Sequence, residues 1–424
     1  MTKAICIGAT KSNDGKTLLS TALLNHFKDD VQAFKCGPDY IDPQFHAAIT
    51  GGFSINLDGY LMKENQLKWM FNTYHKSKIA IIEGVMGFYD GMDKQASAYD
   101  VSKTLAVPSV IVVDASGSYI TVSAVIKGLC EFRDDNTIKG VVLNKVSSAM
   151  HYELIKKSIE EELPSIKVLG WMKKNIETLS STHLGLNLED LDVKALEIMS
   201  KEVLEHIDID LLLEISIFEQ EEIKKYPFKS ISKINKTLAI VNDENFSFLY
   251  HDNVCFLKEV FQEVVMVSAT DNQNFNTDVL YIPGGYVETD EAYSRIRYSD
   301  KFKQSVLSHA KDKPVYGECA GLIYLGKLIG DKPMSGLLDV EFELQKRFKR
   351  MGYYDAVFDG KDTKGHAFHY SSAKDNKNGC FPLLKKGKGE NGTWKKKNIF
   401  GTYLHTFFRT NTHLIENYFL YSND

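Results

Sequence analysis

The stretch KAICIGATKSNDGKT, residues 3–17, decides how the first half of this chain folds. Lys3–Gly8 is short, apolar and buried-looking on both faces, which predicts a strand inside a parallel sheet. The loop Gly8–Thr17 follows it, and Thr17–Lys28 has the spacing of an amphipathic helix. A strand, a glycine-containing loop and a helix start in that order let backbone N–H groups hold phosphate. The full phosphate-loop pattern is not met, because Thr10 stands where its first glycine belongs. Gly15, Lys16 and Thr17 are the expected nucleotide contacts. Lys16 would reach the β/γ-phosphates and the Thr17 hydroxyl would face Mg²⁺.

Outward from that loop, Val31–Cys36, Ile79–Glu83, Ser109–Asp114 and Gly140–Asn144 repeat the pattern of short apolar strands, with helical stretches such as Val122–Phe132 between them. This alternation predicts right-handed βαβ units and an open parallel sheet with helices on both faces. Glu83 closes an apolar strand, so its carboxylate would point into the ligand crevice and hold Mg²⁺ directly or through water. Asp39 and Asp42, in GPDYIDPQFH, fall in a turn after the second strand, beside the phosphate loop. Turn aspartates commonly cap backbone N–H groups; their position here favours a role at the nucleotide.

Residues 191–216 have helical periodicity, and residues 219–233 are charged and contain a proline, which reads as a helical segment and linker over 191–235. A second alternating α/β unit follows over 236–424, with strands at Thr237, Val264–Val267, Val279–Pro283 and Pro314–Gly317, and a strand-rich end after Leu337. The basic stretch Lys385–Lys397 reads as a solvated hairpin.

In the second unit PVYGECAGL (314–322) is a strand, a tight turn with a thiol at its apex, and an apolar helix, which is a nucleophile elbow with cysteine in place of serine. The helix start is expected to lower the Cys319 pKa. The double glycine of YIPGGYVE (281–288) would expose amides to an oxyanion. A thiolate of this kind needs a histidine base. His405, in GTYLH, is the choice and is expected to end a strand. His366 and His369, in GHAFHYS, suit substrate binding or local structure. Where an acid two residues after the base would orient it, Phe407 stands, so the third member is missing or comes from elsewhere.

Composition sets the outer limits. Lys and Arg number 51 against 56 Asp and Glu, a net charge of −5, which argues against a polycation that coats nucleic acid. The chain is 43% hydrophobic and 25% charged, an ordinary globular mixture. Six scattered cysteines without a CxxC pair predict reduced thiols and a cytoplasmic protein. No apolar run is long enough to span a membrane.

Taken together, FKCGPDYIDPQFH (34–46), EGVMGFYDG (83–91), THLGL (182–186), PGGYVE (283–288), GECAGLIYLG (317–326), GHAFHYS (365–371) and GTYLH (401–405) resemble the cobyrinic acid a,c-diamide synthase family of cobalamin biosynthesis. The resemblance implies a dethiobiotin-synthetase-like ATP domain over 1–190 fused to a class I glutaminase domain. It implies a carbon–nitrogen ligase that takes ammonia from L-glutamine at Cys319 and His405. At Gly15, Lys16, Thr17, Asp39, Asp42 and Glu83, ATP and Mg²⁺ would drive amidation of the a- and c-acetates of cobyrinate. The same chemistry on hydrogenobyrinate or nickel sirohydrochlorin is an alternative. A ParA/MinD-like switch ATPase is the alternative from another class, supported by Lys11 five residues before Lys16; that lysine would touch phosphate in its own subunit or across a homodimer.

Overall fold

In a computed structural model the described residues are 2–176, 192–375 and 378–420. THLGL (182–186) lies outside them. The chain forms two compact units, Met1–Pro227 and Phe228–Asp424.

The first unit is built on strands β1 (Thr2–Ala9), β2 (Val31–Cys36), β3 (Ser54–Leu57), β4 (Ile79–Glu83), β5 (Ser109–Asp114), β6 (Ile138–Val146) and β7 (Lys167–Lys173). Their spatial order is β3-β2-β4-β1-β5-β6-β7, and every neighbouring pair is parallel. Strand β8 (Ile217–Phe218) adds to the start of β1 in the antiparallel sense. Helix α1 (Lys16–His26) leaves the loop after β1, and α2 (Ile41–Thr50) follows β2. The apolar side of the sheet and the buried face of α1, through Leu19 and Leu23, share one core.

That core extends past residue 190. Helices Val193–Leu204 and Ile209–Ile215 bury Leu196, Met199, Val203 and Leu212 in the same cluster as Leu19 and Leu23. Residues 192–216 are thus largely helical, as expected, and the first compact unit runs on through Pro227, into the charged stretch that follows the helices. Burying four such side chains contributes about 1.5–3 kcal/mol each, which a solvated linker would forgo.

In the second unit β9 (Ile234–Val241), β10 (Phe261–Val267), β11 (Val279–Ile282) and β12 (Val315–Glu318) lie in the order β10-β9-β11-β12, all parallel. Strand Ile399–Thr402 continues the sheet in parallel beside β12, and Thr393–Lys396 closes it antiparallel. A hairpin of Arg350–Phe358 and Lys361–His369 forms part of a second sheet. The basic stretch is only partly solvated: its tip at 386–390 is exposed, but Thr393 and Trp394 are buried.

Candidate active sites

The phosphate loop sits where β1 lies between β4 and β5, at the carboxyl edge of the strands. Gly15 precedes α1 at φ +104°, and Leu19 N–H donates to its carbonyl. Lys16 is buried, with its Nζ 2.5 Å from the Met86 carbonyl and 3.4 Å from that of Lys11. Burial lowers its pKa, and the Lys35 ammonium lowers it further. Lys11 is 69% exposed and 3.8 Å from Asp14.

Beneath the loop lies an ion cluster that sequence reading saw only in part. The Thr17 hydroxyl donates to Glu83 at 2.7 Å. Lys35, from β2, donates to the same carboxylate oxygen at 3.1 Å and to Asp42 at 2.5 Å. His46, from α2, meets the other Glu83 oxygen at 2.9 Å and Ser54 at 3.1 Å. Burial would push Glu83 up, but Lys35, His46 and Thr17 hold it well below the usual carboxylate range. Burial likewise disfavours the Lys35 ammonium, and the charges of Glu83, Asp42 and Asp39 outweigh it, so its pKa is raised. Asp42 is pushed up to about 6 by burial, against the pull of Lys35. The structure thus brings Thr17, Asp42 and Glu83 together. Asp42 is in the first turn of α2 rather than in the preceding turn. Asp39 caps that helix, accepting from the N–H groups of Ile41 and Asp42, with its other oxygen 3.8 Å from Lys35. Lys35 and His46 were the members missed. A lysine inside the apolar strand VQAFKC is the available signal, since an unpaired ammonium is too costly to bury.

Glu83→Gln would leave the buried Lys35 charge facing only Asp42 and Asp39. Breaking a buried pair from one side costs about 3–5 kcal/mol, so the urea midpoint of the first unit's unfolding is expected to fall clearly. An unchanged midpoint would show that the cluster does not hold the fold.

In the second unit Cys319 sits at φ +47°, ψ −101°, a region that costs about 1–3 kcal/mol for a non-glycine residue. Its N–H donates to the Thr402 carbonyl at 2.8 Å, and its carbonyl accepts from Ile323. The elbow is possible because Gly321 lies against the β11 backbone: a Cβ there would be 2.0 Å from the Ile282 carbonyl oxygen. The thiol pKa is not lowered as expected from the helix start. Burial pushes it above the ordinary range, and the Glu288 charge adds to this against a bond from the Ala320 amide. The helix is only Ala320–Leu325, too short to overcome burial.

His405 lies three residues beyond Thr402. It starts the short strand His405–Thr406 instead of ending one, and pairs there with His366. Burial lowers its pKa to about 3, with His366 contributing. The imidazole resting state is therefore neutral, and burial weakens the ring as a base. His369 stacks on Tyr403 at 3.8 Å and donates from Nδ1 to the Ser371 carbonyl. Glu318, adjacent to the thiol, has its Oε2 3.9 Å from His405 Nδ1. Sequence reading passed over it although GEC spells it out.

Gly284, in the double glycine, is packed on His405. A Cβ there would lie 2.1 Å from His405 Cε1. Gly284→Ala must displace the ring, and a shift of about 1 Å costs on the order of a hundredfold in rate. Glutamine-dependent turnover is expected to fall by that factor while ammonia-dependent turnover stays near wild type; equal loss of both would place the damage in the fold.

Two family models match the chain. Residues 5–186 match the CobQ/CobB/MinD/ParA nucleotide binding domain, and residues 237–413 match the CobB/CobQ-like glutamine amidotransferase domain. Nearly the whole chain also aligns with cobyrinate a,c-diamide synthases. The one from Caldanaerobacter subterraneus subsp. tengcongensis is 35% identical over 96% of this chain and 95% of its own length. That from Methanocaldococcus jannaschii is 34% identical over 91% of each, and that from Limosilactobacillus reuteri 33% over 97% of each. The chain belongs to the cobyrinate a,c-diamide synthase family. Membership in this family places a glutamine amidotransferase domain around Cys319 and His405, which a switch ATPase does not need. It also places the nucleotide-binding domain around Lys16, Thr17 and Glu83. Among the described residues no helix is long and apolar enough to cross a membrane.

Proposed function

We propose that the chain makes the a,c-diamide of cobyrinate with ATP and L-glutamine, and that it does so in the cytoplasm, where its six free thiols stay reduced. The observation that carries the reading is near-full-length similarity to cobyrinate a,c-diamide synthases in a chain that pairs a phosphate loop with a cysteine elbow.

The second unit is the glutaminase. Cys319 attacks the glutamine amide carbon as His405 takes its proton. The amide nitrogen leaves as ammonia, and water hydrolyses the thioester to glutamate. The first unit is the ligase. There an acetate carboxylate of the tetrapyrrole attacks the γ-phosphorus of ATP and ADP leaves. Ammonia then attacks the acyl phosphate and releases phosphate. A carboxylate is a poor electrophile, and phosphorylation gives it a leaving group. Lys16 neutralises charge on the phosphoryl oxygens. Lys35 holds Asp42 and Glu83 beside the loop.

Magnesium fits this site by donor chemistry. Thr17 and Glu83 present a hydroxyl and a carboxylate 2.7 Å apart, both hard oxygen donors. Thr17 would bind the ion and Glu83, already engaged by Lys35 and His46, would hold it through water. When bound, the ion would screen the phosphate charges.

The test is mass spectrometry of cobyrinate after incubation with ATP, Mg²⁺ and glutamine. Exactly two acids converted to amides is the expected product. No conversion of cobyrinate, with diamidation of hydrogenobyrinate or nickel sirohydrochlorin, would transfer the same chemistry to that substrate.

A further inference from the structure

His405 is buried among groups that leave a positive ring without an acid at the usual place, because Phe407 stands two residues on. A proton accepted from Cys319 would create an imidazolium in a dry site, which is costly unless a counter-charge is near. A carboxylate is within reach. Glu318 is fully buried at the end of β12, one residue before the nucleophile. Its Oε1 accepts from the Thr406 hydroxyl at 2.7 Å, from Tyr316 at 3.2 Å and from the Thr406 N–H at 3.3 Å. Its Oε2 accepts from Tyr281 at 2.8 Å and faces His405 Nδ1 at 3.9 Å. Three hydroxyls and one amide therefore fix the carboxyl, and the oxygen with a single donor is the one turned toward the ring. We propose that Glu318 is the positioning acid of His405, reached from the nucleophile's own strand in place of the absent acid after the histidine.

The step needs no co-reactant. The thiol proton moves to Nε2 as sulfur bonds carbon, and Nδ1–H closes on Glu318 Oε2 by rotation of the ring by about 1 Å; catalytic hydrogen bonds are commonly long before substrate arrives. In its ionised form Glu318 orients the ring by attraction, as the acid of a serine triad does, and does not itself take the proton.

The inference rests on the proposed glutaminase, so the experiment separates the two. Glutamine hydrolysis is followed as kcat and KM from pH 5.5 to 9 in the full chain, its Glu318→Gln and Glu318→Asp variants, and with ammonia-dependent amidation as a fold control. Burial pushes Glu318 up to about 7, so the ionised form gains as pH rises and wild-type kcat should climb through neutrality. The other titratable groups facing the pair are Cys319, Tyr281 and Tyr316, all pushed above the neutral range by burial, and His369, pushed below it. His366 pairs with His405 across the strands, and Glu288 acts on Cys319. Glu318→Gln keeps the size and one acceptor oxygen but carries no charge. It should lower kcat by roughly a hundredfold or more, leave KM for glutamine within a few-fold, abolish the neutral limb and keep ammonia-dependent amidation. Glu318→Asp keeps a charge and should retain the limb at reduced kcat. An unchanged kcat, a limb still present in Glu318→Gln, or loss of the ammonia-dependent reaction alongside would overturn the proposal. Absence of glutamine hydrolysis in the wild type would overturn the glutaminase reading itself.

Discussion

Cys319→Ser is expected to lose glutamine-dependent diamide formation by roughly 10³-fold or more while ammonium salts still support it. In the proposed mechanism the nucleophile serves only the release of ammonia. Serine's far higher pKa leaves almost no alkoxide, and the buried, neutral His405 offers only a weak pull on so poor an acid. The elbow tolerates serine sterically, because it holds the same φ of +47° that the cysteine already adopts. One assay with two nitrogen donors reads the result. Full glutamine-dependent activity in the variant would take the nucleophile assignment away from Cys319, and loss of the ammonia-dependent reaction as well would make the residue a support of the fold.

Lys16→Ala is expected to behave in the opposite way. It should abolish amidation from both donors, by about 10²-fold or more, because both need the phosphorylated carboxylate. The ammonium is buried between the Met86 carbonyl and the Lys11 carbonyl of the loop. Lys11 is exposed, 3.8 Å from Asp14. Glutamine hydrolysis by the second unit should continue. Near-normal ammonia-dependent amidation in this variant would remove Lys16 from the phosphoryl-transfer step. Together the two variants separate the halves of the reaction, one losing a nitrogen source and the other losing the activated acid.

Much of this arrangement was legible in the residue order because the strands that matter are apolar on both faces. Val31–Cys36, Ile79–Glu83 and Ser109–Asp114 run as written. Two strands were not legible for local reasons. Ser54–Leu57 has only four residues, alternating with Ser54 and Asn56, and Lys167–Lys173 is broken by Gly170 at φ +135°. The thiol elbow could be read because its turn needs small residues next to each other, such as Gly317 and Gly321. The acids and bases that act through others could not. Lys35 meets Glu83 across β2 and β4, His46 meets Glu83 across a helix and a sheet, and Glu318 meets His405 across two sheets. Those contacts depend on strand pairing that spacing along the chain does not reveal. The pKa of Cys319 was misjudged for a similar reason, since burial from residues far away in sequence outweighs the adjacent helix start.

The place of β1 has a consequence for how the chain is made. It is the first of the strands to leave the ribosome, yet it lies in the middle of its sheet, and its partners are β4, β5 and β8. The last of these ends at Phe218. Long-range pairing must wait for its partners and slows folding accordingly. The strand that carries the phosphate loop is thus born early and completed late: its Cys6–Ala9 edge stays open until β5, ending at Asp114, has emerged, and Thr2 and Lys3 wait for residue 218.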